Sequence, residues 1–189
     1  MKVGVLGLQG DVREHIRALE SVGAAPLVVK RPEELDAVDA LVLPGGESTT
    51  IGKLLDRFEL LEPLAERARA GVPVYGTCAG LILMARRVTG EHSAPHRLGL
   101  MDISVRRNAY GRQVDSFEAD VRIAHIEDFR AVFIRAPLIE EVDDHVEVMG
   151  RHDGHPVIVR QGHLLASSFH PEMTRDPRVH EFFVTEVCS

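Results

Sequence analysis

Short apolar runs alternate with amphipathic, helix-like patterns in the first half of the chain. Four short apolar runs predict buried strands, at 2–8, 25–30, 39–43 and 72–76. Between and after them the spacing predicts three helices, at 12–23, at 48–71 with a break near Pro63, and at 79–87. The stripe of the first helix consists of Val12, Ile16, Leu19 and Val22. The order β-α-β-β-α-β-α is typical of a parallel sheet with helices on both faces.

The second half of the chain has the pattern of strands joined by turns. Six segments predict strands, at 102–111, 112–123, 131–137, 145–154, 155–162 and 163–172. The dipeptide Asp153-Gly154 is a hairpin signal. A closing helix is predicted over 176–187, with Asp176 as N-cap and Pro177 at its first position. We expect one α/β domain over residues 1–189, with an antiparallel insertion in its second half.

Composition and charge narrow the class of protein. Of the 189 residues, 44% are hydrophobic and 27% are charged, which is ordinary for a globular domain. The net charge of −7 argues against a nucleic-acid partner, which usually requires a basic face. No apolar run approaches the length of a membrane span, and the apolar start is too short for a signal peptide. The two cysteines are far apart in sequence, so we expect reduced thiols in the cytoplasm.

One of those cysteines occupies a tight corner. The pentapeptide Gly76-Thr77-Cys78-Ala79-Gly80 is a G-x-C-x-G sequence between a predicted strand and a predicted helix. This is the nucleophile-elbow arrangement, with cysteine where many hydrolases carry serine. The turn exposes the thiol, and the N-terminus of the following helix favours its thiolate form. A buried cysteine beside helix-packing glycines would show the same residues, but the strand–turn–helix context favours a nucleophile.

A thiolate nucleophile needs a base, and the sequence SFHPE at 168–172 supplies His170 and Glu172. Pro171 restricts His170 to extended backbone, which places residues 170 and 172 on the same side. Glu172 can then orient the imidazole. Taken alone, the tripeptide is more typical of a surface turn. Here Cys78 and His170 both follow predicted strands, and catalytic groups gather at the carboxyl ends of parallel strands.

A third loop, in LVLPGGEST at 41–49, brings two glycines to the same edge of the sheet. The backbone N–H groups of Gly45 and Gly46 could donate to an oxyanion from the side opposite Ala79. Without the cysteine elbow, these glycines would indicate only a turn.

Two patterns suggest a cofactor or metal site, and both are incomplete. The glycines of GVLGLQGD at 4–11 follow G-x-x-G-x-x-G rather than the dinucleotide pattern G-x-G-x-x-G. Two pairs of histidines have a spacing that could chelate a metal: His92 with His96, and His152 with His155. No cysteine or carboxylate pattern completes a metal site around either pair. We therefore expect neither a cofactor nor a metal.

With these segments placed, the chain resembles the class I glutamine amidotransferases, and more closely the glutaminase subunits of pyridoxal 5′-phosphate synthase. The resemblance is carried by GVLGLQGDVREH, LPGGESTT, GTCAGLILMA, RNAYGRQVDSFEADV, FIRAP and SFHPE. It implies an open, mostly parallel, flavodoxin-like sheet. It also implies hydrolysis of L-glutamine to L-glutamate and ammonia through a thioester intermediate.

The resemblance assigns roles by position. Cys78 is the implied nucleophile, and His170 and Glu172 complete the triad. The oxyanion is implied to bind the N–H groups of Gly46 and Ala79. The implied substrate-binding residues are Gly46, Glu47, Ser48, Arg107, Ile134 and Arg135. An arginine suits this role because the α-carboxylate of glutamine prefers a fork of donors, although either arginine could instead form a surface salt bridge.

The resemblance also implies a partner, the synthase subunit that consumes the ammonia. We expect activity to depend on docking, with the peptide between Gly45 and Gly46 as the switch, because glycine accepts either sign of φ. Gln9, at the end of the first strand, is a candidate to hold that peptide, or else an ordinary turn residue.

Two other classes of function stay open. The chain could be a glutaminase subunit for another pathway or a cysteine-triad hydrolase of peptides. It could also be a binding module that keeps the fold without catalysis, although no triad residue is missing from the sequence.

Overall fold

The structure is a computed structural model that describes residues 1–90, 96–107 and 116–189. The strands are β1 (Lys2–Leu6), β2 (Ala25–Val29), β3 (Ala40–Leu43), β4 (Val74–Thr77), β5 (Ala85–Thr89), β6 (Met101–Arg106), β7 (Ser116–Ile123), β8 (Glu127–Ile134), β9 (Leu138–Val142), β10 (Glu147–His152), β11 (His155–Gln161) and β12 (Leu164–Ser167). The α-helices are α1 (Val12–Ser21), α2 (Ser48–Arg57), α3 (Leu61–Arg69), α4 (Ala79–Met84) and α5 (Arg178–Phe182). Short 3₁₀ turns cover Pro32–Ala37 and Pro171–Met173, and a π-helical turn covers Phe183–Val187.

Nine strands form the central sheet in the order β2-β1-β3-β4-β12-β11-β10-β7-β8. From β2 to β12 the neighbouring strands are parallel. From β12 to β8 they are antiparallel. A second sheet joins β5, β6 and β9. The predicted fold class, a parallel sheet with helices and an antiparallel part, is confirmed, and most of that part continues the central sheet.

Both faces of the central sheet are buried along its inner parallel strands β3, β4 and β12. In β3, Leu41 and Leu43 face one hydrophobic cluster, which is covered by α2, α3 and α4. Ala40 and Val42 face the other, which is covered by α1 and α5. This alternation follows from the period of two along a strand. Parallel strands covered on both faces read as continuous apolar runs, which is why these segments could be recognised in the sequence.

The predicted helix at 79–87 was too long. The helix ends at Met84, and the backbone turns extended at Ala85 to begin β5. All six residues of α4 are buried, so the apolar run lacks a polar face that would mark its end. Arg86 and Arg87 pair with acidic residues of β6 and β9 rather than continuing the helix.

Other boundaries also moved. The break in the second predicted helix lies before Leu61, so that Pro63 sits in the first turn of α3, where its missing N–H costs nothing. Strand β9, with the sequence LIEEV, was not predicted. Asp176 accepts a hydrogen bond from the backbone N–H of Arg178 at 3.1 Å, although α5 begins one residue later than predicted.

Parts of some predictions lie outside the described residues. These are 91–95 of the histidine-rich stretch, including His92, and 108–115, which cover the end of the strand predicted at 102–111 and the start of the strand predicted at 112–123. Within the described ranges, the helices are all too short or too polar to cross a membrane.

Candidate active site

Cys78 lies in the turn between β4 and α4 with a backbone φ of +48° and ψ of −96°. A positive φ is uncommon for a residue with a side chain and indicates local strain. The surrounding structure holds the turn, because the N–H of Cys78 donates to the carbonyl oxygen of Ser167 on β12 at 2.8 Å. The residue is 7% exposed. The sulfur lies 3.9 Å from the carbonyl oxygen of Ile134.

The glycines on either side of Cys78 are required for packing. A Cβ on Gly80 would lie 2.2 Å from the carbonyl oxygen of Leu43, and one on Gly76 would lie 2.7 Å from the carbonyl carbon of Gly80. These are distances that real Cβ atoms do not reach. The G-x-C-x-G pattern therefore lets α4 approach β3 and β4 closely, which fixes where the thiol stands.

His170 and Glu172 form a hydrogen-bonded pair beside Cys78. His170 Nδ1 and Glu172 Oε1 are 2.8 Å apart, and both side chains are at least 95% buried. Strand β12 ends at Ser167, so the predicted strand was too long, and Glu172 lies in the 3₁₀ turn that follows His170. His170 is fixed by its backbone N–H, which donates to the carbonyl oxygen of Val132 on β8 at 2.8 Å.

The imidazole packs against the glycine loop after β3. A Cβ on Gly45 would lie 2.3 Å from His170 Cε1, so only glycine admits the ring at this position. Because Nδ1 is occupied by Glu172, Nε2 is the nitrogen left to meet the thiol of Cys78.

A second carboxylate, that of Asp11, lies close to the imidazole of His170. Its Oδ2 lies 3.5 Å from His170 Nδ1, and its side chain is 30% exposed. The ligand-type atoms of Asp11, His170 and Glu172 lie within 4.8 Å of one another. However, the Nδ1 atom of His170 already donates to Glu172, so the group has the arrangement of a hydrogen-bonded network and not of a metal site. The histidines His152 and His155 face each other across the β10–β11 hairpin.

The hydrogen bonds and charges of this network shift the pKa values of His170 and Glu172 in opposite directions. Burial lowers the pKa of His170, but hydrogen bonds with Asp11, Cys78 and Glu172 outweigh it and raise the pKa to about 12. Burial raises the pKa of Glu172, but His15 and His170 outweigh it and hold the pKa below its ordinary value. The site therefore favours an ionised Glu172 beside a protonated His170, which can stabilise a thiolate at Cys78.

A cavity of about 320 Å³ opens over the thiol. Its wall contains nine of the residues singled out in the sequence, namely Gln9, Gly46, Glu47, Ser48, Cys78, Arg107, Ile134, Arg135 and His170. Three more were not singled out: Asp11, Ile82 and Met173. Glu172 lies behind His170, Gly45 lies against its ring, and Ala79 is the buried first residue of α4.

Glu47 organises one wall of this cavity. Its carboxylate caps α2 by accepting from the backbone N–H groups of Thr49 and Thr50 at 2.9 and 2.7 Å. Burial raises the pKa of Glu47, but these threonines outweigh it and lower the pKa to about 2. The guanidinium of Arg107 donates to Glu47 Oε1 at 3.2 Å. This contact orients Arg107 along the cavity wall.

Arg135 also lines the cavity and directly follows β8. Its backbone φ is +45°, which is unusual for a residue with a side chain. Within the described ranges, its guanidinium forms no ion pair. It is therefore available to an acidic group inside the cavity.

Gln9 holds the glycine loop in its present conformation. Its Oε1 accepts a hydrogen bond from the N–H of Glu47 at 2.9 Å. Gly46 has a φ of +153°, and a Cβ there would lie 2.5 Å from the same oxygen. The contact is therefore with the peptide between Gly46 and Glu47, one position beyond the peptide named from the sequence. The carbonyl oxygen of Gly45 accepts from the N–H of Asp11 at 3.4 Å.

The sequence pattern of the SNO glutamine amidotransferase family matches residues 5–189. The chain belongs to the SNO glutamine amidotransferase family. The resemblance found in the sequence is confirmed at the level of the whole chain.

Named relatives and a solved structure agree with this family assignment. The pyridoxal 5′-phosphate synthase subunit PdxT of Mycobacteroides abscessus is 59% identical over 186 residues, which are 98% of this chain and 96% of the relative. The protein of the same name from Kosmotoga olearia is 53% identical over 189 residues, which are 99% and 98% of the two chains. A solved structure described as a crystal structure of glutamine amidotransferase has a TM-score of 0.93 at 47% identity, covering 98% of each chain.

Within this SNO family member, sequence reasoning missed the contribution of α1 to the site. Asp11 and His15 both lie in the motif GLQGDVREH that carried the resemblance. The stripe predicted for α1 was apolar, yet its fully buried residues are His15 and Leu19. The spacing of four residues between His15 and Leu19 was the signal that could have revealed a buried histidine.

Proposed function

We propose that this chain is the glutaminase subunit of a pyridoxal 5′-phosphate synthase, which hydrolyses L-glutamine and passes ammonia to a synthase subunit. One observation carries the proposal. A cysteine on a strained elbow and a buried His–Glu pair face one cavity, in a chain that belongs to a glutamine amidotransferase family. The names of the relatives support the choice of pathway.

In the first half of the proposed reaction, the Cys78 thiolate attacks the side-chain carbonyl carbon of glutamine. The new C–S bond places a negative charge on the carbonyl oxygen. When the tetrahedral intermediate collapses, the C–N bond breaks and the amide nitrogen takes a proton from His170 Nε2. Ammonia leaves, and a γ-glutamyl thioester stays on Cys78.

In the second half, His170 acts as the base. A water molecule gives a proton to Nε2 as its oxygen adds to the thioester carbonyl. Collapse of this second intermediate breaks the C–S bond and releases glutamate and the thiolate. Glu172 holds the imidazole by Nδ1 through both steps, so that Nε2 always faces the reacting atoms.

Both tetrahedral intermediates need donors for their oxyanion, and the N–H groups of Gly46 and Ala79 are the proposed ones. Ala79 directly follows the nucleophile, as in other nucleophile elbows. Gly46 lies in the loop against which His170 packs. Preformed donors of this kind stabilise developing charge without reorganisation.

Recognition of the amino-acid end of glutamine is assigned to the outer part of the cavity. Arg107 and Arg135 supply positive charge for the α-carboxylate, and the Glu47 carboxylate is suited to the α-amino group. Ser48 and the backbone of Ile134 complete the lining. Because the cavity offers both charges, free glutamine fits it better than an internal residue of a peptide.

The proposal includes the setting of the reaction. We propose that residues 1–189 act as one glutaminase domain, since the central sheet joins strands from both halves of the chain. The two free cysteines, Cys78 and Cys188, fit a reducing compartment such as the cytoplasm. The acceptor of ammonia is the synthase subunit of the complex.

The test compares substrates in the presence of the synthase subunit of a pyridoxal 5′-phosphate synthase. Ammonia release from L-glutamine should be rapid, whereas blocked glutaminyl peptides and ordinary peptide bonds should not be cleaved. Cleavage of peptides without turnover of free glutamine would instead support a peptidase. Glutamine turnover that a pyridoxal phosphate synthase subunit neither raises nor couples to product would indicate a glutaminase of another pathway.

A further inference from the structure

Two buried histidines extend the hydrogen-bonded network behind Glu172. His15 on α1 and His180 on α5 are both 0% exposed. His15 Nε2 lies 3.4 Å from Glu172 Oε1 and 3.2 Å from Thr77 Oγ1. His15 Nδ1 lies 2.9 Å from His180 Nε2. A continuous line of contacts therefore runs from His180 through His15 and Glu172 to His170 and the thiol.

The chemistry of these contacts fixes the positions of the protons. Glu172 Oε1 is a carboxylate oxygen and can only accept, so the proton must lie on His15 Nε2. In a neutral imidazole the other nitrogen is then an acceptor. For a neutral His15, Nδ1 is therefore the acceptor of the Nε2–H of His180. In the other neutral tautomer, with the proton on Nδ1, the lone pair of His15 Nε2 would face the carboxylate of Glu172.

His180 is suited to the neutral role that this assignment gives it. Burial, together with the proximity of His15, lowers the pKa of His180 to about 3, against an opposing effect of Glu172. Its Nδ1 has no hydrogen-bond partner among the described residues. A histidine that stays neutral at physiological pH can hold one tautomer of its neighbour without adding charge to the site.

We propose that His15 and His180 form a buried donor relay that holds the carboxylate of Glu172, and through it the imidazole of His170, in the orientation needed for glutamine hydrolysis. Both are positioning residues, since neither lines the cavity. This inference rests on the proposed glutaminase function and adds two residues to it.

The relay has a specific consequence for the thiol. Glu172 Oε1 lies 2.8 Å from His170 Nδ1 and 3.4 Å from His15 Nε2, while its Oε2 has no hydrogen-bond partner among the described residues. Without His15, burial would favour the protonated carboxyl, because a buried carboxylate with one donor is poorly compensated. A neutral Glu172 would stabilise the imidazolium of His170 less, so the thiolate of Cys78 would form at higher pH.

Other titratable groups near the relay do not replace it. The carboxylate of Asp11 lies 3.5 Å from His170 Nδ1, and the contact of Asp11 with His15 is a backbone hydrogen bond, from the N–H of His15 to the carbonyl oxygen of Asp11 at 3.3 Å. Tyr75, below the relay, is hydrogen-bonded to Ser167 Oγ at 3.0 Å, and burial raises its pKa well above the ordinary value. Tyr75 therefore stays neutral. The described groups that supply N–H donors to Glu172 are His170 and His15.

The experiment compares His15→Met, which removes the donor, with His15→Gln, whose amide nitrogen can replace Nε2. The control is His163→Met, since His163 precedes β12, away from the site, and its Nε2 is hydrogen-bonded to the carbonyl oxygen of Ala68 in α3 at 2.7 Å. In the full chain with its synthase partner, His15→Met should lower kcat by about 10- to 100-fold, by analogy with the loss of the hydrogen-bond partner behind a metal-binding histidine. KM for glutamine should stay unchanged, and His15→Gln should recover most of the loss.

The second readout is the pH dependence of Cys78 alkylation by iodoacetamide, which needs no glutamine turnover. The midpoint should move upward by about one pH unit in His15→Met and much less in His15→Gln. Should His15→Met fail to fold, His180→Met and His180→Gln make the same comparison, with the midpoint raised only in the first. The relay would be overturned if the Met and Gln variants of the same histidine had equal kcat and equal pH midpoints of Cys78 alkylation.

The outcomes separate the relay from the function on which it rests. A wild-type chain that turns over glutamine, with variants indistinguishable from it, contradicts the relay alone. A wild-type chain with neither a reactive Cys78 nor glutaminase activity contradicts the proposed function.

Discussion

At the scale of single residues, the strongest contrast in the molecule is between its two thiols. Cys78 stands on a strained turn at the floor of a cavity, beside the protonated His170. Cys188 lies near the C-terminus, where burial and the nearby Asp39 raise its pKa to about 12. A thiol that faces a cavity beside a protonated imidazole reacts with electrophiles, whereas a thiol whose pKa is raised by burial does not.

This contrast predicts selective labelling. A glutamine analogue that carries a diazo-ketone should modify Cys78 and leave Cys188 untouched. Peptide mapping by mass spectrometry gives the modified position. Label found only on Cys188 would remove Cys78 from the role of nucleophile.

The pair behind the thiol predicts unequal losses. His170→Asn removes the base and acid itself and should leave almost no glutaminase activity. Glu172→Gln removes only the group that positions and stabilises the imidazole, so that more activity should remain. Steady-state ammonia release by the two variants, with thermal unfolding as a control for folding, measures the difference. A fully active His170→Asn protein would mean that another residue is the base.

The sequence allowed some of these residues to be predicted and not others. Cys78, His170 and Glu172 lie in short local motifs whose geometry follows from glycine and proline rules. Asp11 and His15 reach the site from a helix that is distant in sequence from Cys78 and His170. Their positions depend on how α1 packs against the sheet, which no local pattern specifies.

At the scale of elements, the elbow depends on the close packing of α4 against β3. A Cβ on Gly80 would lie 2.2 Å from the carbonyl oxygen of Leu43, which is backbone and cannot rotate away. The elbow could be predicted because strand, turn and helix are contiguous in sequence. The end of α4 could not, because an all-apolar run has no periodicity to separate helix from strand.

This packing predicts the effect of a single methyl group. Gly80→Ala should destabilise the fold by about 1–3 kcal/mol, the typical result of overpacking a core. It should also lower activity, because α4 must shift and carry Cys78 with it. Urea unfolding measures the first effect and ammonia release the second. Ala18→Ser, a substitution of similar size on the half-buried side of α1, provides a control. Wild-type stability in Gly80→Ala would contradict the packing account.

At the scale of the whole molecule, the site is assembled from distant parts of the sheet. Strand β8 lies at the edge of the nine-stranded sheet. A hydrogen bond from the N–H of His170 to the carbonyl oxygen of Val132 nevertheless holds the C-terminal end of β8 next to the cavity. The parallel order of the first strands was predictable from their apolar runs. The proximity of β8 to the cavity was not predictable. It depends on how the antiparallel strands pack against the segment that follows β12.

At this scale the proposed function also predicts dependence on the synthase subunit, since free ammonia is mostly protonated at neutral pH and would be lost to solvent. We expect the isolated chain to be slower than the complex by at least about tenfold, a cautious fraction of the effect of one oxyanion donor. Gln9→Ala and Gly46→Val should reduce this activation, because Gln9 holds the N–H of Glu47 and a side chain on Gly46 would collide with Gln9.

Ammonia release at saturating glutamine, with and without the synthase subunit, measures the activation. Alkylation of Cys78 in the same variants shows whether the thiol is intact. Equal rates for the wild-type chain alone and in the complex would rule out the switch.

The central claim, that Cys78 hydrolyses glutamine in this chain, is tested most directly by one comparison. Ammonia release from L-glutamine is measured for the wild-type chain and for Cys78→Ala, each with the synthase subunit, after circular dichroism has shown that both are folded. The account predicts steady ammonia release by the wild type and none above background by Cys78→Ala. Equal release by the two proteins, or none by a folded wild-type complex, would contradict it.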